Sequence, residues 1–394
     1  MRNRFVLIGV ALVAASLTCV AGAQAQSNTP VCGGTAGPCN TIPVNNTAYG
    51  STADEFLMLA PSARGAALGG GFAALVTDVS AAYYNPAGLS QMDHAGIMAS
   101  TMNYVAGTKY TWAAVGLPFS GGSRAIGVSV SNFGFSGQPV YTVEDPTGLS
   151  GEVYSVSQTA VGLTYSQQFS DRFAAGLTAK LVNDQLGRTT GTAVAVDFGT
   201  SFHAMIGGRP IRASFVVQNL GTTVKQTGEA LDVTVNRTAP SGEQDVPQEP
   251  ATAQLTTKSW ALPVIFRVGV AYDVFETTAG RLSVLGEFTQ PNNNQPGFNL
   301  GGEYHLALGS SGFAVAGRAS VTYWPDNSLG APDASSANYA GFSSAAGGTS
   351  QYRASYGGGV YYHPGSGFGV GVDYAYRNMG LLGGVSMLSV GFNW

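Results

Sequence analysis

The chain has 394 residues, a formal net charge of −4 and only 10% charged residues, against roughly 25% in an ordinary soluble domain. This number of charged residues is too small to cover a fully water-exposed surface of this size. We therefore expect part of the surface to face away from water. No basic stretch indicates nucleic acid as a partner.

The N-terminus has the pattern of a secretory signal peptide, predicted over residues 1–25. Arg2 and Arg4 precede an apolar run at 5–17, and small residues at 21, 23 and 25 offer cleavage sites. An uncleaved membrane anchor is the alternative. No later run of about 18 apolar residues predicts a transmembrane helix.

A flexible tail is predicted over residues 26–43. Cleavage of the signal would leave Cys32 and Cys39 as the cysteines of the chain. In an oxidising compartment they could form a disulfide; two free thiols are the alternative.

Residues 44–92 are rich in alanine and glycine and do not alternate. Short helices are predicted near 62–68 and 79–84, the second with Asp78 as its N-cap. Asn85-Pro86 ends that helix because the residue before proline is pushed out of the helical region. We expect this compact segment to fold into the lumen of a barrel as a hatch, or plug.

Residues 93–394 alternate with period two, which is typical of β-strands. In residues 368–377, aliphatic and aromatic residues take one face, and glycine, alanine, Asp373 and Arg377 take the other. A soluble sandwich would place lysine and glutamate on its polar face, whereas a membrane barrel places small and polar residues in its lumen. The predicted fold is all-β: a 14-stranded antiparallel outer-membrane β-barrel with an N-terminal hatch in the lumen.

The predicted strands have the even number typical of bacterial barrels. They cover residues 94–106, 108–119, 123–134, 152–169, 171–186, 191–205, 210–220, 261–275, 280–290, 296–308, 312–324, 351–363, 366–377 and 383–394. The long connections 135–151, 221–260 and 325–350 all fall at one end, so they are predicted to be outer loops. Both termini are then periplasmic.

The C-terminal strand alternates up to the last residue. Leu388, Val390, Phe392 and Trp394 share one face. This ending resembles the signal read by the barrel assembly machinery of the outer membrane; a last strand that ends in tryptophan by chance is the alternative.

Several stretches resemble one family. "FLMLAPSARGAALGG", "YYNPAGL", "VVQNLG", "LPVIFRVGVAYD" and "FNLGGEYHL" are similar to segments of the PorV/PorQ family, within the superfamily of FadL-type long-chain fatty-acid transporters. The hatch of that superfamily carries an Asn-Pro-Ala motif, matched here by Asn85, Pro86 and Ala87, with Gly88 following. The resemblance implies a hatch that gates a hydrophobic path leaving sideways through the wall at a kinked strand. PorV-like relatives instead serve type IX secretion as protein-binding partners.

Charged residues are predicted on the lumen face, with acids and bases mixed. They are Asp197, Arg212, Arg267, Asp273, Glu287, Glu303, Arg318, Arg353, Asp373 and Arg377, accompanied by Lys180, His203 and His305. We expect them mainly to brace the hatch by salt bridges, with ligand contact as the alternative, and Arg64 of the hatch to pair with lumen acids.

Catalysis, a metal site and a cofactor are not expected. The chain has four histidines, no evident Ser-His-acid spacing and no His/Cys cluster. A water-filled general porin is disfavoured by the hatch.

Two functions remain. The polar character of 221–260 and 325–350 favours a protein-binding component of type IX-type secretion or a related assembly, whose partner would be a translocon or secreted cargo. The alternative is a passive FadL-like transporter of hydrophobic small molecules. Either protein would contact outer-membrane lipid, and the assembly machinery during biogenesis.

Overall fold

The computed structural model describes residues 50–143, 145–235, 250–324, 352–365 and 367–394. The predicted signal peptide, Cys32, Cys39 and residues 26–49 lie outside these ranges, as do residues 236–249 and 325–351 of the long loops. No helix in the described ranges is long and apolar enough to cross a membrane.

Among the described residues, fourteen antiparallel strands form a closed barrel, which confirms the predicted fold class. The barrel strands are β1 Gly96–Asn103, β2 Lys109–Phe119, β3 Arg124–Pro139, β4 Val153–Ser170, β5 Phe173–Leu186, β6 Thr189–Ile206, β7 Arg209–Gly221, β10 Ile265–Glu276, β11 Gly280–Pro291, β12 Gly297–Ala307, β13 Phe313–Tyr323, β14 Tyr352–Tyr362, β15 Gly369–Asn378 and β16 Gly384–Asn393. Two further strands, β8 Asp232–Val235 and β9 Ala251–Gln254, lie outside the barrel. The barrel closes where β1 pairs with β16, from Gly96 opposite Asn393 to Asn103 opposite Ser386.

The two faces of the wall follow the alternation of the sequence. Leu163 on β4 and Leu181 on β5 point outward and are 60% and 58% exposed. Thr164 and Val182, one position further along, are fully buried on the inside. A continuous apolar belt of this kind is an aggregation liability in water and is the surface that a membrane barrel presents to lipid.

One end of the barrel has short turns throughout, and the other end has both short and long connections. The short turns 120–123, 171–172, 207–208, 277–279, 308–312 and 363–368 lie at one end of the barrel, here called the short-turn end. The strand ends that bound the long connections 140–152, 222–264 and 324–351 lie at the other, the long-loop end. The first loop is shorter than predicted because β3 continues to Pro139.

The longest loop, 222–264, has backbone pairing of its own in its described part. β8 and β9 pair as a separate hairpin. Val224 forms a bridge with Trp260 and is 1% exposed. The described part of this loop therefore extends the barrel at the long-loop end.

The N-terminal segment, defined as residues 50–92, has two short α-helices, Ala63–Ala67 and Ala81–Tyr84. The first lies within the predicted range. The second starts later than predicted, because Asp78 accepts a hydrogen bond from the Ser80 amide (2.9 Å) before the helical turn begins. It ends where expected, since Asn85 has an extended backbone (φ −161°). Two 3-10 helices, Glu55–Met58 and Pro86–Gln91, complete the segment.

Hydrogen bonds attach this segment to strands on different sides of the barrel. The amide of Ala63 donates to Ser389 of β16 (2.8 Å). The amide of Ala73 donates to Glu287 of β11 (3.0 Å). The amide of Ser90 donates to Ser166 of β4 (3.2 Å). Because these strands surround a closed lumen, the segment runs through the inside of the barrel.

An arginine on the outer belt should weaken insertion. We expect Leu163→Arg to destabilise the barrel in lipid by about 2–4 kcal/mol, the cost of a cation near the bilayer midplane. Leu149→Arg is the control, because Leu149 is 85% exposed in the β3–β4 loop. The measurement is urea-dependent folding into vesicles; equal effects of the two changes would contradict a lipid-facing belt.

Candidate functional site

The candidate site is the interface between the N-terminal segment and the inner wall. One part of it is the Asn-Pro-Ala motif. The Asn85 side-chain amide donates to the carbonyl oxygens of Ala73 (3.0 Å) and Thr200 (3.1 Å). Its oxygen accepts from the Ala87 amide (3.1 Å). One asparagine thus fixes its own turn, an earlier turn of the segment and strand β6.

Two wall glycines make room for this motif. Gly176 of β5 and Gly199 of β6 are paired across the sheet. A Cβ on Gly176 would lie 2.4 Å from the Pro86 carbonyl carbon, and one on Gly199 would lie 2.2 Å from the Asn85 side-chain oxygen. The motif is therefore in backbone-level contact with the wall, here called the glycine seat (Gly176 and Gly199).

A second anchor is a buried ion network of Arg64, Asp78, Glu303, Arg318 and Asp373. The Arg64 guanidinium donates twice to Glu303 (both 2.8 Å) and once to Asp78 (2.9 Å). Burial acts to lower the pKa of Arg64, but the Glu303 and Asp78 carboxylates raise it well above its ordinary value. Arg64 is thus a permanent cation that joins the segment to β12.

The same network continues along the wall. Arg318 of β13 bonds Glu303 (2.5 Å) and Asp373 of β15 (2.6 Å). Two arginines face three carboxylates, so each cation is shared. Charge-assisted, bidentate bonds of this kind are the strong ones in a low-dielectric interior.

Most of the other predicted lumen residues also lie inside and pair. The ion pairs are Lys180–Asp197 (2.6 Å), Arg212–Asp273 (2.6 Å) and Arg267–Glu287 (3.3 Å). Arg267 also donates to the Gly70 carbonyl (2.8 Å). His203 bonds Ser201 (3.0 Å), and the His305 ring lies 5.8 Å from that of Tyr361. These three ion pairs lie within the wall, and Arg267 also reaches the segment; the role of the set in bracing the segment stays a prediction.

Arg353 and Arg377 differ from these residues. In the described part of the chain, no carboxylate lies within ion-pair distance of either. Ser355 pairs with Arg377, which places Arg353 and Arg377 diagonally on the same face of β14 and β15. The Arg353 Nε is buried without a hydrogen-bond partner. The long-loop end of the lumen therefore holds two cations available to an anion.

Five methionines line spaces between the segment and strands β1, β15 and β16. Met102, Met379 and Met387 line an apolar crevice beside Arg377. Met92 and Met98 line a cavity towards the short-turn end. We call these five residues the methionine seam. Sequence reasoning missed it, although methionine stands out on the otherwise small or polar lumen faces of "GIMASTMN" and "GVSMLSVGFN".

Cavities open from both ends of the barrel towards the segment. At the short-turn end their volumes are about 1050 Å³ and 590 Å³. At the long-loop end a cavity of about 530 Å³ lies against β1 to β4. The crevice in the methionine seam has only about 10 Å³, roughly the room for one water molecule. Anything larger that passed along the seam would have to move side chains or the segment.

The C-terminal residues point outward from the last strand. Leu388, Val390, Phe392 and Trp394 are all exposed on the outer face. The Phe392 ring stacks with that of Trp394 (5.8 Å) and with that of Phe368 on the edge of β15 (6.2 Å). Their role as an assembly signal stays a prediction.

Comparison with known proteins gives a fold and no sequence relative. No protein-family model matches the chain, and no curated protein matches it. The toluene transporter TbuX of Ralstonia pickettii is similar in structure, with a TM-score of 0.50 and 12% identity over 86% of this chain and 98% of that chain. The CymD monoaromatic hydrocarbon channel has a TM-score of 0.50 and 10% identity over 85% and 97%.

A FadL homologue of Pseudomonas aeruginosa also matches, with a TM-score of 0.47, 10% identity and 85% and 98% coverage. The barrel is therefore similar in fold to TbuX and CymD, and membership of the FadL-type superfamily stays a prediction. The narrower resemblance, to PorV/PorQ, also stays a prediction.

Removal of the central cation should loosen the segment. Arg64→Ala leaves Glu303 with Arg318 alone and Asp78 without a cation, and breaking a buried pair costs about 3–5 kcal/mol. We expect faster proteolysis within residues 50–92 and higher single-channel conductance. Arg212→Ala is the matched control, because its partner Asp273 belongs to the wall; unchanged proteolysis and conductance in Arg64→Ala would contradict the anchoring role.

Filling the glycine seat should displace the motif. Gly199→Val places carbon atoms where the Asn85 side chain lies, and such overpacking costs about 1–3 kcal/mol or more. We expect lower protection of the Ala87 amide in hydrogen exchange. Gly317→Val is the control, since a Cβ there meets nothing within 4 Å; equal protection in the two variants would rule out close seating.

Proposed function

We propose that this protein is a passive channel for hydrophobic small molecules across the bacterial outer membrane. The methionine seam carries the proposal. A lumen closed only for structural reasons would be sealed by rigid, well-packed side chains. Methionine is flexible and polarisable, and is frequent at surfaces that adapt to varied apolar ligands.

The seam has a position suited to a path. On this proposal the path runs from the crevice at Met102, Met379 and Met387 to the cavity that Met92 and Met98 line, which also borders the charged Arg64 network. Two hydrogen bonds cross the seam between them. The Ser100 hydroxyl donates to the Pro61 carbonyl, and the Ala63 amide donates to the Ser389 hydroxyl (2.8 Å). Breaking these bonds would let the segment move away from β1 and β16.

Arg353 and Arg377, which have no carboxylate within ion-pair distance among the described residues, suggest which molecules enter best. Arg353 lies on the same inner face as Arg377, which borders the apolar crevice. A guanidinium that has no internal carboxylate gains from an anionic ligand group. We infer a preference for amphiphiles with an apolar body and an anionic head, with the head held at the long-loop end.

The structural neighbours support a hydrophobic cargo. TbuX is described as a toluene transporter and CymD as a monoaromatic hydrocarbon channel. The apolar outer belt and short turns at one end also fit an outer-membrane barrel with periplasmic turns. On that orientation, Gly96 and Trp394 lie at the periplasmic end, and Arg353 and Arg377 at the outer end.

A protein-binding role in secretion is the second candidate. It is favoured by the β8–β9 hairpin, a polar, ordered projection from the long-loop end. A pull-down from native outer membranes tests it. Stoichiometric recovery of a large translocon barrel or a secreted cargo would support this role, and recovery of the barrel alone with bound apolar molecules would support transport.

The transport proposal predicts head-group selectivity. In proteoliposomes, we expect uptake of a fluorescent long-chain carboxylate to exceed that of the matching alcohol. In Arg353→Ala/Arg377→Ala we expect carboxylate uptake to fall about tenfold, equivalent to about 1.4 kcal/mol, and alcohol uptake to stay unchanged. Arg124→Ala, at the short-turn end, is the control. Uptake of neither probe by the native protein would contradict transport.

A further inference from the structure

The buried carboxylates of the lumen fall into two groups. Asp197, Asp273, Glu287, Glu303 and Asp373 each have an arginine or lysine partner. Asp54 and Asp184 are equally buried, at 3% exposure each. Within the described ranges, no lysine, arginine or histidine lies within ion-pair distance of these two. Burying one ionised carboxylate without a partner costs free energy, and burying two of them side by side costs more.

These two carboxylates are neighbours. The side-chain amide of Gln158 on β4 donates to both Asp54 (3.3 Å) and Asp184 (3.0 Å). The side-chain amide of Gln226 in the long loop donates to the other oxygen of Asp184 (2.8 Å). The cluster therefore brings together the N-terminal segment, β4, β5 and the long loop.

Two oxygens in this cluster lack a donor. Asp54 Oδ2 and Gln226 Oε1 are both buried and have no hydrogen-bond partner. The cluster thus has oxygen acceptors in excess of donors, and among the described residues it lacks a cationic partner.

We propose that Asp54 and Asp184, together with side-chain oxygens of Gln226 and Gln158, bind a divalent hard cation of the Ca²⁺ type. A half-turn of either glutamine amide exchanges its N–H group for an oxygen at the same place, so both can act as ligands. Ca²⁺ is bound by carboxylate and amide oxygens in flexible geometry. The donor set has no nitrogen or sulfur, which disfavours zinc and copper.

The protein would supply few ligands to the ion at this site. No group of three or more His, Cys, Asp or Glu side chains suited to a metal occurs in the described part of the chain. Two carboxylates would neutralise one divalent cation, and water would complete its coordination. Such an ion would tie the start of the segment to the wall and to the long loop, at the end of the lumen opposite the Arg64 network.

Calcium titration tests the proposal on the full-length barrel in detergent, after treatment with a chelator. We expect saturable binding of one Ca²⁺ in isothermal titration calorimetry, and slower proteolysis of residues 50–60 when Ca²⁺ is added. Asp54→Asn and Asp184→Asn should each weaken binding at least about tenfold, since each removes one charged ligand. Glu229→Gln, an exposed acid of the same long loop, should bind as the native protein does.

Three results would overturn the proposal. The first is no saturable Ca²⁺ binding by the native protein. The second is Ca²⁺ binding that persists unchanged in both asparagine variants. The third is an Asp54→Asn protein that resists proteolysis better than the native protein while Ca²⁺ affects neither, which would mean that the pair shares a proton. Heat-modifiable migration on gels and circular dichroism verify that each variant is folded.

Discussion

The burial of charge inside a closed barrel is the constraint on which the rest of the structure depends. The outer belt is apolar, and the polar and charged side chains of the wall point into the lumen. They cannot all pair with one another. Arg64, the Ala73 amide and Asn85 of the N-terminal segment satisfy Glu303, Glu287 and the Thr200 carbonyl. The segment thus supplies hydrogen-bond and ion-pair partners for polar groups of the wall, and its position is set by electrostatic interactions as well as by packing.

The attachments of the segment differ from one side of the lumen to another. At the glycine seat on β5 and β6, the Asn-Pro-Ala backbone touches the wall directly, and the Asn85 amide donates to the Thr200 carbonyl. At the methionine seam on β1, β15 and β16, flexible methionine side chains line the interface, which the Ala63–Ser389 and Ser100–Pro61 hydrogen bonds cross. Under the proposed transport function, the side of the segment at the methionine seam is the one that would move, while the side at the glycine seat would stay attached.

The fold was predictable because strand alternation is a local property, and so was the break at Asn85-Pro86. Arg64 was expected to pair with lumen acids, but its choice of Glu303 depends on the register of strands more than 200 residues away in sequence. The bridge between Val224 and Trp260 within the long loop also arises from tertiary contacts, as does the left-handed Asn219 (φ 60°) where β6 and β7 shift register at Asp197. The methionines stand out on the lumen faces of β1 and β16, but the sequence alone does not show that they lie against the N-terminal segment.

The most direct measurement is uptake of hydrophobic probes by variants in which a disulfide fixes the segment to the wall on one side at a time. In a chain whose Cys32 and Cys39 are serine, a disulfide between Ala63→Cys and Ser389→Cys closes the methionine seam. The control disulfide, between Ser90→Cys and Ser166→Cys, closes the side next to the glycine seat. Gating at the seam predicts that the first disulfide abolishes uptake of hydrophobic probes until it is reduced, while the second leaves uptake unchanged. Full uptake with the seam locked would contradict it.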